Sequence, residues 1–544
     1  MSTQSVRPWV RTAASVAACA LLVAACDSGK KHGAASSPPS SSDLTPSSAA
    51  SATRSGPAPS GAALQDPGAF ATNLDFTDIS KQVNNALNGV TSRKLSFARA
   101  VMKVPLDWAH PDNGKTVSIT VLRVRSQSQH NRIGSLVVNP GGPGGSGTEA
   151  ALDLAVSELP QAILDRFDIV GFDPRGVALS DPIKCIPAKE KDAELNLPPD
   201  PTTDAQWQAN IDEAKKVADE CHSIYGNDLT FFSTAETVRD MEALRAKLGD
   251  SKLTYLGYSY GTLLGAEYAS AYPDKVRALV LDGAVDPTID SVQQDQTQAA
   301  GFQLAFSHFA ANCEKKGSAC GLGDNPQAFV QNLMKSADAK PIPSGSSKDK
   351  RVVEAGAVLL AVISALYDES QWDQLESALV DASKGDGAGV LALDDQYNER
   401  QPDGSYSNIQ DANAAIGCAD ETDRPALSEA KQLEPQWRAS NPLFGGSAAS
   451  SLAFCSFWKA PPDKPIKVTD NHAPTVLVIG TTGDPATPIS GARHLAALLG
   501  SGDLLVWQGD GHTAYPKTSC VTNDVDNYLI ELKAPAPESS CPAS

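Results

Sequence analysis

One short segment constrains the fold more than any other part of the chain. Gly257-Tyr258-Ser259-Tyr260-Gly261 lies between an apolar run of β type, Leu253–Leu256, and a helical pattern that begins at Thr262. A serine with a glycine two positions away on each side is typical of a sharp strand–turn–helix elbow, where larger side chains would clash. Such an elbow holds the serine exposed above a parallel sheet. The segment therefore predicts an α/β fold with Ser259 as a nucleophile.

Further apolar runs of β type are spaced along the chain, and helical patterns lie between many of them. Most of these runs lack polar alternation, as expected of strands that are buried on both faces of a sheet. Strand–helix alternation of this kind predicts a mostly parallel sheet flanked by helices. The other predicted strands are Ser118–Val124, Ser135–Asn139, Asp168–Phe172, Ala278–Leu281, Thr475–Ile479 and Leu504–Trp507.

The alternation breaks in a long stretch rich in Ala, Gln and Asp. Its pattern is mainly helical, as in Gln293–Asn312 and Ala355–Leu366. Strands resume at Thr475, which favours a helical cap inserted into the sheet domain over a second independent domain. The length of 544 residues suits a large domain with such an insertion. The predicted division is residues 64–286 and 472–544 for the sheet domain and residues 287–471 for the cap.

The N-terminal region has the pattern of an export signal. After two arginines comes an apolar run, Ala13–Ala25, which is too short to cross a bilayer and has the length of a signal-peptide core. The run ends directly before Cys26, in a sequence that resembles a bacterial lipobox. The alternative is an ordinary secretory signal with an incidental cysteine. We predict a signal peptide over residues 1–25, lipidation of Cys26, and a disordered Ser/Pro/Ala tether over residues 26–63.

This reading predicts an exported protein, either secreted or held at the cell surface by a lipid anchor as its only membrane contact. The net charge of −19, with 64 acidic against 45 basic residues, disfavours nucleic acid as a partner. Beyond the N-terminal region eight cysteines remain, an even number that favours disulfides in an exported chain. No Cys/His cluster has metal-ligand spacing, so neither a metal nor a cofactor is expected. The pairing is open; a sequential guess is Cys185–Cys221, Cys313–Cys320, Cys418–Cys455 and Cys520–Cys541.

A serine nucleophile needs a base and an acid, which in this fold follow it in the order acid, then histidine. His512 lies in a glycine-rich loop directly after the predicted strand Leu504–Trp507. His494, inside a helical pattern, and His472, ahead of a strand, fit less well. Asp484 lies in the loop after the preceding strand, where it would orient the imidazole. The rival acids are Asp282, Asp286 and Asp510.

A glycine-rich loop, Asn139–Gly147, follows the predicted strand that contains Ser135. Such a loop leaves backbone N–H groups free to bind a developing oxyanion. The N–H groups of Gly142 and of Tyr260, the residue after the nucleophile, form the natural pair. A phosphate loop is disfavoured because no G-K-[ST] follows, and a plain turn is the remaining alternative.

Four segments together resemble secreted actinobacterial tripeptidyl aminopeptidases, which are α/β-hydrolase serine peptidases related to the proline iminopeptidases. Proline iminopeptidases usually carry His-Gly before the Gly-Pro-Gly of the loop, so Asn139-Pro140 in that place favours the tripeptidyl branch. The resemblance covers roughly residues 75–541. It implies the α/β-hydrolase fold, a helical cap, and cleavage of short peptides from a free N-terminus. The segments are Asn139–Gly147, Asp173–Gly176, Gly257–Gly261 and Gly480–Cys541.

The resemblance also implies an anion for the substrate's α-ammonium group. Gly417–Glu421, inside the predicted cap, resembles the family's Cys-x-Asp segment. Asp420 is the first candidate anchor and Glu421 the second, since a buried ammonium requires a paired carboxylate. The alternative is a solvated acidic pair on the cap surface.

The leading functional hypothesis is a serine exopeptidase that releases short peptides, in this family tripeptides, through an acyl-enzyme on Ser259. The second is a carboxylesterase or lipase with the same triad, because acyl transfer to serine is the same chemistry for esters and amides. The third is a binding scaffold on an inactive hydrolase fold.

Overall fold

The computed structural model describes residues 66–470 and 472–544. The predicted signal peptide, Cys26 and the predicted tether lie outside these residues. Twelve strands occur within the described part of the chain. They are β1 Thr77–Asp78, β2 Leu95–Pro105, β3 Thr116–Ser126, β4 Gly134–Asn139, β5 Phe167–Phe172, β6 Leu253–Tyr258, β7 Val276–Asp282, β8 Ile342–Pro343, β9 Val352–Val353, β10 Val476–Gly483, β11 Gly502–Asp510 and β12 Ser539–Cys541.

Ten of these strands form one sheet in the order β1-β2-β3-β5-β4-β6-β7-β10-β11-β12. The pairs from β1 to β5 along this order are antiparallel, and every pair from β5 to β12 is parallel. The sheet is therefore mostly parallel and flanked by helices, as predicted. β2 was not predicted, because its residues alternate between buried and more exposed positions instead of forming a continuous apolar run.

Eighteen α-helices lie in the described residues, and eight of them fall between β7 and β10. They are α1 Pro67–Phe70, α2 Ser80–Leu87, α3 Gly147–Asp153, α4 Gln161–Arg166, α5 Ala188–Glu194, α6 Asp204–Tyr225, α7 Thr234–Leu248, α8 Tyr260–Ala271, α9 Ser291–Lys316, α10 Pro326–Ala339, α11 Ala355–Leu366, α12 Trp372–Ser383, α13 Ala388–Tyr397, α14 Ile409–Asp420, α15 Leu427–Ser440, α16 Gly445–Ser451, α17 Ile489–Leu499 and α18 Ser519–Glu531.

The central strands have two buried faces. In β4 every residue is buried, with Val137 packing into one apolar cluster and Leu136 and Val138 into the other. This follows from strand geometry, because successive side chains point to opposite faces of a sheet. Both faces are therefore covered, and the carboxyl ends of the parallel strands form the edge on which the candidate site lies.

The helices between β7 and β10 form a cap with an apolar cluster of its own, which includes Phe302, Phe306 and Leu379. The cap also receives residues from the segment between β5 and α7. Lys191 of α5 forms a buried ion pair with Asp411 of α14, at 2.7 Å. The helices α5 and α6, which the sequence analysis assigned to the sheet domain, are thus tied to the cap.

Four disulfides are present in the described residues, and they join the pairs of the sequential guess: Cys185–Cys221, Cys313–Cys320, Cys418–Cys455 and Cys520–Cys541. Disulfides of this number are typical of proteins that mature in an oxidising compartment, in agreement with export. Within the described residues, no helix has both the length and the apolar character that crossing a membrane requires.

Candidate active site

Ser259 lies in a sharp turn at the carboxyl end of β6. Its φ of +55° is unusual for a residue with a side chain, and it precedes the first residue of α8. The Ser259 N–H donates to the carbonyl of Asp282 at 2.9 Å, and its carbonyl accepts from Thr262. A Cβ at Gly257 would lie 2.4 Å from the carbonyl oxygen of Gly261, and a Cβ at Gly261 would lie 2.8 Å from Oδ1 of Asn139, so each glycine of the motif has its own steric reason. The elbow is thus held by the neighbouring strand and by the start of its own helix.

The glycine-rich loop after β4 packs directly against this elbow. Gly141 and Gly142 have φ angles of +95° and +111°, conformations that favour glycine. A Cβ at Gly141 would lie 2.6 Å from the carbonyl oxygen of Tyr258 and 3.1 Å from the nitrogen of Tyr260. Tyr260 is the first residue of α8, so its N–H has no acceptor within the helix. The structure therefore places Gly141, the residue before the predicted oxyanion donor Gly142, against the backbone of Tyr260, the other predicted donor.

His512 and Asp484 meet across two loops at the same edge of the sheet. Nδ1 of His512 lies 2.9 Å from both carboxylate oxygens of Asp484. The Asp484 side chain is fully buried and also accepts from the N–H groups of Ala486 and Thr487, each at 2.9 Å. Because the carboxylate only accepts, Nδ1 carries the proton and Nε2 is the basic nitrogen. Nε2 is buried and has no hydrogen-bond partner among the described residues.

The loop that carries His512 is fastened to the cap. The His512 N–H donates to the carbonyl of Tyr367 at 2.8 Å, and the two rings meet edge to face with centroids 5.2 Å apart. Gly511 has a φ of +98°, and a Cβ there would lie 2.8 Å from the same carbonyl oxygen. On the other side of the loop, Lys517 Nζ donates to the His512 carbonyl at 2.8 Å.

Asp282, a rival for the acid role, holds the segment that follows His512. Its carboxylate accepts from the N–H of Ala514 at 3.0 Å and from that of Tyr515 at 2.7 Å. Burial raises its pKa to about 6. These bonds leave Asp282 with a positioning role, and Asp484 is the carboxylate that contacts Nδ1 of His512.

The remaining rivals are engaged elsewhere. Asp286 lies 2.6 Å from Nδ1 of His494, and Asp510 lies 2.5 Å from Nδ1 of His308, a residue of the cap helix α9. The side chain of His472 is 95% exposed. None of these groups is joined by a hydrogen bond to His512 among the described residues.

Asp420 is connected to Tyr260, the predicted oxyanion donor, through one side chain. Its two carboxylate oxygens accept from the N–H and the hydroxyl of Thr234, at 2.8 and 2.6 Å. The same Thr234 hydroxyl is 2.5 Å from the hydroxyl of Tyr260. Burial raises the pKa of Asp420 to about 7. Asp420 therefore belongs to a network that fixes Tyr260.

Glu421, the next residue, belongs to a different acidic group. Its Oε1 is buried without a hydrogen-bond partner among the described residues, and burial, with Asp423 and Asp295 nearby, raises its pKa to about 7. Burial and Asp423 likewise raise the pKa of Asp295 to about 7. Asp295 lies in α9 and was missed by the sequence analysis. No signal could have found it, because it is one acidic residue in a helix rich in Gln and Asp.

Two groups in the described residues have the spacing of metal ligands: Cys313, Cys320 and Glu376, and Cys520, Cys541 and Asp524. In both groups the cysteines are joined in disulfides. A disulfide sulfur is not the thiolate that binds zinc, so neither group fits a metal site.

The comparisons with known proteins agree on one family. The model of the alpha/beta hydrolase fold family matches residues 134–517, a range that contains Ser259, Asp484 and His512. The chain is 37% identical over 458 residues to serine protease Hip1 of Mycobacterium tuberculosis, covering 81% of this chain and 86% of that protein. It is 35% identical to carboxylesterase B of the same species, with coverages of 81% and 86%.

A third relative is the tripeptidyl aminopeptidase of Streptomyces lividans, which is 29% identical over 448 residues and covers 80% of this chain and 82% of that protein. The resemblance stated from the sequence segments is thereby confirmed. The chain therefore belongs to the alpha/beta hydrolase fold family, and it is a serine hydrolase.

Proposed function

We propose that this protein is an exported serine exopeptidase that releases short peptides, most simply tripeptides, from free N-termini. In this mechanism His512 Nε2 accepts the Ser259 hydroxyl proton as Oγ attacks the scissile carbonyl. Asp484 orients the imidazole and stabilises the imidazolium. The N–H groups of Gly142 and Tyr260 bind the oxyanion. His512 then donates the proton to the leaving amine, and water hydrolyses the acyl-enzyme.

The observation that carries the proposal is the acidic pair Glu421 and Asp295. Both carboxyls lie in partly exposed positions of the cap, and both have a pKa near 7 because of burial and of nearby acids. The neighbouring Arg424 donates its N–H groups to backbone carbonyls and forms no ion pair with either carboxylate among the described residues, although its charge opposes part of the rise in the Glu421 pKa. An α-ammonium group would supply the missing positive charge, and an ester or a blocked peptide would not.

The same geometry divides the roles of two adjacent acids. Asp420 was the first-choice anchor from the sequence, but both its oxygens accept bonds from Thr234. Glu421 has a free buried oxygen. We assign the ammonium contact to Glu421 with Asp295, and we assign to Asp420 the support of Tyr260 at the oxyanion hole.

Carboxylesterase activity is the second candidate, because a relative with 35% identity is named carboxylesterase B. Nothing in the triad distinguishes the two reactions. The acidic pair favours the peptidase, since a neutral ester has no positive charge that would compensate two partly buried carboxylates.

The test is a panel of hexapeptides, each prepared with a free and with an acetylated N-terminus, incubated with the protein and analysed by mass spectrometry. We expect N-terminal fragments of one length, tripeptides in the simplest case, from the free peptides alone. The Ser259→Ala variant controls for contaminating peptidases. Equal cleavage of acetylated peptides would contradict exopeptidase activity, and rapid hydrolysis of short acyl esters without any peptide cleavage would support the esterase.

We also propose that Cys26 is acylated and that residues 26–63 hold the catalytic domain away from the membrane. The lipobox-like segment that ends at Cys26 supports this. Membrane fractionation of the host cell tests it: the protein should be in the membrane fraction, and the Cys26→Ala variant should leave that fraction. Release of both forms would indicate an ordinary secretory signal.

A further inference from the structure

Tyr367, which directly follows the last residue of α11, is a cap residue that contacts the histidine of the triad. Its carbonyl accepts the His512 N–H at 2.8 Å, and its ring lies at 89° to the imidazole with centroids 5.2 Å apart. The bond from Asp484 restrains only the Nδ1 end of the imidazole. A contact against the ring itself limits the tilt that remains and so narrows the range of directions in which Nε2 can point.

Tyr367 is in turn held by the aromatic core of the cap. Its ring packs against Phe302 at 5.8 Å and against Tyr397 at 6.1 Å between centroids. A hydrogen bond joins the hydroxyl groups of Tyr367 and Tyr397, and burial raises the pKa of Tyr367 well above its usual value. The group in contact with the imidazole is therefore a neutral, fixed ring, and its position depends on the fold of the cap.

The other neighbours of the imidazole belong to the sheet domain. A Cβ at Gly283 would lie 3.0 Å from Cε1 of His512, so backbone after β7 passes close to that atom. Thr487 Oγ1 is 3.3 Å from Nδ1. Among these contacts the Tyr367 ring is the one that comes from the cap.

We propose that Tyr367 is a positioning residue for His512, so that the cap contributes to the geometry of catalysis as well as to substrate binding. The proposal rests on the triad given above but not on the peptidase assignment. The competing explanation is that the Tyr367 ring lines the peptide site and has no effect on His512.

The experiment uses a small fluorophosphonate probe, which reaches Ser259 without occupying the peptide-binding part of the cap. In this reaction the Ser259 Oγ–P bond forms, the P–F bond breaks, fluoride leaves and His512 accepts the hydroxyl proton. The labelling rate therefore reports the Ser259–His512 geometry. Michaelis constants for a free peptide report substrate binding separately.

Three variants are compared with the wild type. Tyr367→Leu removes the ring from the imidazole, and we expect labelling and peptide kcat to fall on the order of a hundredfold, with KM nearly unchanged, because small misplacements of a catalytic group have effects of this size. Tyr367→Phe keeps the ring and should restore wild-type labelling. Phe302→Leu is the matched control, because it damages the same aromatic cluster without removing the ring that contacts His512.

A raised KM with unchanged labelling in Tyr367→Leu would overturn the proposal in favour of a substrate-lining ring. The proposal would also be overturned if Phe302→Leu lost as much labelling as Tyr367→Leu while the two variants had the same melting temperature. That result would show general damage to the cap. Absence of labelling in the wild type would instead contradict the triad. Equal cleavage of free and acetylated peptides would contradict the exopeptidase proposal and leave the labelling result standing.

Discussion

The acid at the edge of the sheet, Asp484, and the acids of the cap, Glu421 and Asp295, differ in how their carboxylates are hydrogen-bonded. At the sheet edge the Asp484 carboxylate accepts bonds from His512 and from two backbone N–H groups. In the cap, Glu421 has a buried oxygen without a partner, and the carboxyl of Asp295 has no hydrogen-bond donor among the described residues. Buried polar groups are normally hydrogen-bonded, and an exception calls for an explanation. The Asp484 carboxylate thus has its partners within the chain, whereas the lack of partners at Glu421 and Asp295 supports the proposal that a positively charged ligand binds in the cap.

The largest expected effect comes from the nucleophile. Ser259→Ala should lower kcat for peptides and for small esters on the order of 10⁶-fold, because no other group at the elbow can attack the acyl carbon. Burst kinetics with an activated ester measure the loss, and thermal unfolding checks that the fold persists. If the Ser259→Ala variant kept the wild-type KM and a kcat within about tenfold of the wild-type value, the nucleophile would have to be another residue.

The acid should have the next largest effect. Asp484→Asn is expected to reduce kcat about 10⁴-fold, since the amide favours the wrong imidazole tautomer. Asp286→Asn is the matched control, because Asp286 pairs with His494 and should leave activity intact. A larger loss in the control than in Asp484→Asn would reverse the assignment of the acid.

In the cap, the effect should appear in KM. Truncating one partner of a buried charge pair costs about 2 kcal/mol or more, so Glu421→Gln should raise the KM of free peptides roughly thirtyfold. Asp295→Asn should act in the same direction, and ester hydrolysis should not change in either variant. Asp381→Asn, a change in an exposed acid of the cap, controls for the loss of one charge.

Asp420→Asn provides a sharper contrast, since Asp420 is hydrogen-bonded to Thr234 beside Tyr260. We expect kcat to fall for esters and peptides alike. A rise in peptide KM alone would return Asp420 to the role of ammonium anchor.

In the wild type, the pH dependence of kcat/KM should distinguish the acidic pair of the cap from the catalytic residues at the sheet edge. Glu421 and Asp295 have a pKa raised to about 7, so they lose charge as the pH falls below about 7. Binding of an ammonium group then weakens, and kcat/KM for free peptides should fall below that pH more steeply than kcat/KM for a small ester. Taking the ratio of the two cancels any pH dependence that both reactions share. A ratio that does not change between pH 5 and 8, or that is unchanged by Glu421→Gln, would contradict the anchor.

The smallest effect on activity is expected from the disulfide between Cys418 and Cys455, which closes a loop with a sequence separation of 37. It joins α14 to the short turn Phe454–Phe457 in the cap. Replacing both cysteines by serine should lower the free energy of unfolding by about 2–4 kcal/mol. Fluorophosphonate labelling of the folded protein should be unchanged. Loss of labelling at temperatures where the variant is folded would couple this part of the cap to the triad.

The catalytic region could be predicted from the sequence because each of its parts has a local signature. The elbow at Ser259 requires glycines at fixed positions, and a Cβ at Gly257 would collide with the backbone. Asp484 and His512 could be located because strands β10 and β11 precede them, and the carboxyl ends of neighbouring parallel strands meet at one edge. The antiparallel strand β2 was missed, since its alternating burial gives a weaker signal than a continuous apolar run.

The side-chain contacts of the cap could not be predicted from the sequence in this way. Asp295 and Glu421 are 126 positions apart and share no motif. Asp420 and Glu421 are adjacent in the sequence, but the structure gives them different partners. Tyr367 had no signal at all, because its contact with His512 joins residues that are 145 positions apart in the chain.

The sequence by itself determined the fold class and the nucleophile, because short-range sterics and periodicity are properties of neighbouring residues. Only the tertiary structure decided which of the adjacent acids is tied to Thr234, which one keeps a free buried oxygen, and which cap residue contacts the imidazole of His512. The physical reason is that hydrogen-bond satisfaction and burial depend on what the packed chain brings together, and chain distance does not encode it.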